Sequence, residues 1–76
     1  MRKMFTEDAL AAAAKQMRTR AGRSRAQAAR DMRVSQTSIF HAEESPQEGL
    51  MKLRIRMIQK YSPYKVVGPV YLLQRK

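Results

Sequence analysis

The apolar positions of this chain keep a helical period for most of its length and lose it near the end. Leu10, Ala14, Met17 and Ala21 fall at i, i+4, i+7 and i+11, one face of a helix. Thr6 is placed to cap that helix, Glu7 and Asp8 follow in its first turn, and Gly22 ends it. Ser24 to Gln27 reads as a capping box, S-x-x-Q, opening a second helix that runs to about Met32 with Ala28, Ala29 and Met32 inward. A third helix is predicted from Ser35 to about Glu43 or Glu44, with Val34, Ile39 and Ala42 as its apolar positions. Ser45 to Gly49 is a loop. A fourth helix covers about Leu50 to Tyr61, with Leu50, Leu53, Met57 and Ile58 inward, and Pro63 stops it.

The tail then changes period. YKVVGPVYLL is rich in Val, Tyr and Leu and reads as a strand, with Pro69 confining it to an edge or a bulge. A lone strand cannot satisfy its own backbone. The partner expected is the same tail of a second chain, through Val66, Val67, Val70, Tyr71, Leu72 and Leu73, with the N-terminal MRKMF as the runner-up. No internal repeat or second domain is visible, so residues 1–76 are read as one domain, with a helical body over 6–61 and an arm over 62–76.

Charge narrows the function. Lys and Arg total 16 against 6 Asp and Glu, a formal net charge of +10. That excess suits a polyanion such as nucleic acid or an anionic surface. The absence of Cys removes disulfides and thiolate metal sites. No apolar run approaches a membrane span, and the N-terminus turns acidic too early for a secretion signal, so a cytoplasmic protein is expected. One His and few carboxylates leave no catalytic constellation, and neither an enzyme activity nor a cofactor or metal is expected.

Two short helices joined by a tight turn, the second with a polar opening, form a helix-turn-helix pattern. Arg18-x-x-x-Gly22-x-Ser24-Arg25-x-x-x-Ala29, followed by Val34-Ser35-Gln36-x-Ser38-Ile39-x-x-x-Glu43, resembles the Xre/Cro/lambda-repressor helix-turn-helix family. The register fits without gaps from Arg18 to Glu43, and the helical plan extends over about residues 6–61. The chain departs from the pattern in carrying Arg25 where the family usually has Gln and Arg33 where its turn usually has Gly. The tail lies outside the shared pattern. The fold implied is a mainly α, four- to five-helix lambda-repressor-like domain with a C-terminal strand or arm.

The resemblance implies that the third helix enters the major groove of double-stranded DNA. Gln36, Thr37, Phe40 and His41 are then the base contacts. Gln suits adenine, Thr can bond a base edge, and Phe40 can meet thymine methyls. Phosphate contacts are expected from Arg20, Arg23, Arg25, Ser35, Ser38 and Lys52, with backbone N–H groups at the start of the second helix. An ion pair between Arg18 and Glu43 is implied as the tie between first and third helices. The function implied is a sequence-specific transcriptional regulator, a homodimeric repressor on a palindromic operator. The alternative is an antitoxin that binds DNA and masks a toxin partner through its tail. A non-specific RNA binder is disfavoured, because the chain has only 3 Tyr and 2 Phe for stacking and the tyrosines all follow residue 60.

Overall fold

Four helices form where the caps and periods place them. The computed structural model describes residues 3–4, 6–67 and 72–76. Helix α1 spans Glu7–Arg20, and Thr6 caps it by accepting the Ala9 N–H at 3.2 Å. Helix α2 is Arg25–Met32, α3 is Gln36–Glu44 and α4 is Met51–Tyr61. The capping box of α2 is complete: Ser24 Oγ accepts from Gln27 N at 3.1 Å, and Ser24 N donates to Gln27 Oε1 at 2.9 Å.

The core is built from small residues on α1 and α2 and larger ones on α3 and α4. Leu10, Ala13, Ala14, Ala28, Ala29, Met32, Ile39, Ala42, Leu53, Met57 and Ile58 are buried together. The alanines bring α1 and α2 close to their neighbours, and the long side chains of α4 fill the space between. The inward stripe of α1 differs in detail from expectation. Leu10 and Ala14 are buried, but Met17 is half-buried and Ala21 is exposed beyond the last turn. Arg18 takes the inward position instead, because a buried carboxylate awaits it.

The tail is the main correction. It is two strands, β2 (Tyr64–Val67) and β3 (Leu72–Arg75), paired antiparallel with Val66 opposite Leu73 and Val67 opposite Leu72. Val70, Tyr71 and Pro69 lie outside the described residues. A further short strand, β1 (Lys3–Met4), pairs antiparallel with the other edge of β3, giving the order β1-β3-β2. The ladder expected between two copies at Val66, Val67, Leu72 and Leu73 is thus formed within one chain, and the runner-up partner, the N-terminus, completes it. Leu73 faces the helical core and is 6% exposed. Even the outer edge of β2 is occupied: Val66 N donates to Gln59 Oε1 at 3.1 Å and Tyr64 N to Ser62 Oγ at 3.2 Å. No helix among the described residues is long and apolar enough to cross a membrane.

Candidate nucleic-acid interface

Two helix ends in this molecule share one geometry. At the end of α1, Gly22 takes φ +71, its N–H donates to the Thr19 carbonyl at 3.0 Å, and the Arg23 N–H donates to the Arg18 carbonyl at 3.2 Å. At the end of α2, Arg33 takes φ 60 and ψ 46, its N–H donates to the Arg30 carbonyl at 3.3 Å, and the Val34 N–H donates to the Ala29 carbonyl at 3.0 Å. Both are Schellman closures, which need a left-handed residue. The second is built on Arg where Gly would be unstrained.

That closure turns the chain directly into α3. Ser35 caps it, accepting the Ser38 N–H at 3.1 Å, while the two serine hydroxyls lie 3.0 Å apart. Ser35 Oγ is therefore committed to the cap. Gln36 and Thr37 follow, fully on the outside, and Phe40 is 44% exposed one turn on. Gln36, Thr37 and Phe40 line a cavity of about 310 Å³ with Arg25, whose guanidinium lies 5.1 Å from the centre of the Phe40 ring. The helix-turn-helix thus gathers three of the four nominated base contacts around one concavity. His41 is drawn partly inward. Its ring lies edge-on to Phe40, and its Nδ1 is 3.2 Å from Ser45 Oγ.

A charge network fixes α3 beneath this surface. Glu43 has no exposed side-chain area and receives Arg18 through two bonds, Nε to Oε2 at 2.5 Å and Nη2 to Oε1 at 3.1 Å. Arg25 Nε adds a third at 3.0 Å, so one buried carboxylate joins α1, α2 and α3. Arg25 also reaches Glu44 at 2.8 Å, and Lys15 reaches the same oxygen at 2.6 Å. The Lys15 ammonium, with Arg25 beside it, holds the Glu44 carboxyl below its ordinary range. The implied Arg18–Glu43 pair is present.

The nominated phosphate contacts fare unevenly. Arg25 is held by Glu43, Glu44 and the Phe40 ring. Arg23 donates two hydrogen bonds to Asp31, at 3.1 and 3.0 Å, and Tyr61 donates to Asp31 at 2.7 Å. The Arg23 guanidinium and then the Tyr61 hydroxyl hold Asp31 low. Burial first, and Asp31 second, push the Tyr61 phenol up to about 12. These two arginines are internally neutralised rather than free, because the few carboxylates of the chain fold back against them. At the start of α2 the capping box takes two of the backbone N–H groups, those of Ser24 and Gln27. Arg20 and Lys52 are exposed and make no ion pair among the described residues. Lys52 lies apart from the Phe40 concavity, in a second cavity of about 500 Å³ shared with Val34, Ser38, Leu50 and Arg56.

Two arginines of α4 hold positions that sequence reasoning missed. Arg54 is completely buried, with Nε donating to the Ala42 carbonyl at 2.8 Å and Nη2 to those of Ser45 and Glu48 at 2.9 and 3.2 Å. It collects the carbonyls at the end of α3 and ties the following loop to α4. Its signal is positional: residue 54 sits between Leu50 and Ile58 at i+4 spacing, inside the apolar stripe. Arg56 is exposed, and its Nη2 donates to the Met32 carbonyl at 2.7 Å. No protein-family model matches the chain, and neither a curated protein nor a solved structure does.

Proposed function

We propose that the chain is a sequence-specific DNA-binding transcriptional regulator, a repressor that lays the start of α3 in the major groove. The observation that carries it is the concavity of Arg25, Gln36, Thr37 and Phe40, raised on a helix whose orientation is fixed by the buried Glu43. A helix held this way presents an amide, a hydroxyl and an exposed ring without first ordering them, which lowers the cost of association. The net charge of +10 supplies attraction to phosphate.

The resemblance to the lambda-repressor type adds a homodimer on a palindromic operator. The tail ladder no longer supports such a dimer, since β3 is paired on both sides within the chain. The antitoxin alternative drew on the same free strand and has lost that support. The test is selection from a random duplex library, followed by titration of the recovered sequence over a range of salt, with sedimentation of the complex. A dimer neutralising about eight phosphates gives a slope of log K against log salt near −7. No enriched sequence, or a slope near −1, rejects the reading.

A further inference from the structure

We propose that the seam between the end of α2 and one face of α4 is a second phosphate-backbone contact, made by Lys52, Arg56 and Lys60 with Arg30 and Arg33. This rests on the DNA-binding reading and extends it to a surface outside the start of α3. Lys52, Arg56 and Lys60 recur at i, i+4 and i+8 of α4, and all three are exposed. They form a row roughly 12 Å long, the axial length of about three or four nucleotides of one strand. Arg56 is pinned to the Met32 carbonyl, between Arg30 and Arg33, which are both exposed. Lys60 lies close enough to Asp31 for its charge to help hold that carboxyl low. The α4 row therefore runs beside the end of α2, which carries Arg30 and Arg33 exposed at either side of Met32.

Their lack of ion pairs distinguishes them from the other cations around α1 and the start of α2. Lys15, Arg18, Arg23 and Arg25 each face a carboxylate, whereas none of the five seam cations forms an ion pair among the described residues. Like charges gathered without ion pairs of their own repel one another, and a row of phosphates offsets that repulsion. The seam also leads back to the candidate interface. The cavity of about 500 Å³ lined by Lys52 and Arg56 is lined also by Ser38 of α3. A strand passing the start of α3 meets the seam next. Charge complementarity thus selects the DNA backbone flanking the half-site as the occupant.

The experiment is fluorescence anisotropy of the full chain on its selected duplex, at several salt concentrations, with the site alone or extended on both sides. Lys60→Gln and Arg30→Gln remove charge from groups that hold no hydrogen bond among the described residues. Arg56→Gln is the third seam variant, with its melting temperature checked. Arg23→Gln is the comparator. Wild type binds the extended duplex more tightly, and the order of preference among sequences is kept in every seam variant. Each seam variant makes the salt slope shallower by about 0.9 for each phosphate it leaves unneutralised. Arg23→Gln leaves the slope unchanged. If sequence preference is intact but the seam variants leave the slope unchanged, the seam is overturned alone. The same holds if both duplex lengths bind equally. Binding to an acidic protein surface with no gain on the longer duplex also overturns it. Loss of sequence preference in wild type rejects the DNA reading and takes the seam with it.

Discussion

Arg18 and Arg23 bond each other twice in opposite senses. The Arg23 N–H donates to the Arg18 carbonyl at 3.2 Å, and Arg18 Nη1 donates back to the Arg23 carbonyl at 2.8 Å. Arg18 Nε and Nη2 go to Glu43. One side chain therefore closes the turn after α1 and sets the position of α3.

Glu43→Ala leaves the Arg18 guanidinium buried without its carboxylate and frees Arg25 from half of its hold. Removing one partner of a buried pair costs about 3–5 kcal/mol. Denaturant unfolding should show a loss of that order. An unchanged midpoint rejects the structural role of the pair.

Arg33→Gly and Gly22→Ala should act in opposite directions on the two matching turns. Arg33 carries φ 60, so Gly there relieves strain and raises stability by up to about 1 kcal/mol. A Cβ at Gly22 meets nothing within 4 Å, so the cost of Gly22→Ala is the left-handed backbone itself, about 1 kcal/mol. Thermal melts of the two single variants decide this. A loss in Arg33→Gly contradicts it.

The Arg23–Asp31–Tyr61 group sets two pH limits. Asp31 is held below its ordinary value of 3.8, so its contribution is present above that pH and is lost as pH falls through the lowered value. Tyr61 is raised from 10.0 to about 12, so its contribution is full below pH 10 and is lost as pH climbs towards 12. Ultraviolet titration should find one tyrosine ionising near 12, and that late step should vanish in Tyr61→Phe. In Asp31→Asn the acid-side loss should shrink.

Arg54→Met keeps most of the buried volume but strips the carbonyls of Ala42, Ser45 and Glu48 of their donor. Unpaired buried acceptors cost about 1–3 kcal/mol each where water cannot reach them. Stability should fall by about 2 kcal/mol or more, and hydrogen exchange should quicken at the C-terminal end of α3. Unaltered exchange there argues against the latch.

Truncation after Ser62 removes β2 and β3 together with Leu73 from the core. The helical body should melt at a clearly lower temperature and less cooperatively, whatever its mass in sedimentation. A truncated chain that melts like the full one would show the sheet to be dispensable.

The helices were legible because their ends are local. Thr6, Ser24 and Ser35 cap as short side chains must, and Ala28, Ala29 and Ile39 repeat at helical spacing. The cluster at Gln36, Thr37 and Phe40 followed from that register. Non-local facts were less accessible. The pairing of Lys3 with Leu73 joins distant parts of the chain, so the N-terminal segment ranks only second among the partners expected for the tail. The neutralisation of Arg23 by Asp31 depends on how α2 begins relative to its own last turn, and Tyr61 comes from another helix altogether. Composition counts cations; only the fold says which ones are already paired.

The order β1-β3-β2 has a consequence for synthesis. The central strand is the last of the three to be synthesised, and Leu73, which packs into the core, lies within it. Each helix can wind as it emerges, since its contacts are local. Closing β1 against β3 must wait until β3 has emerged, because it joins Lys3 to Leu73. A nascent chain stalled before that point carries helices with an open flank, and the sheet shuts only once Leu72–Arg75 is free to pair on both sides.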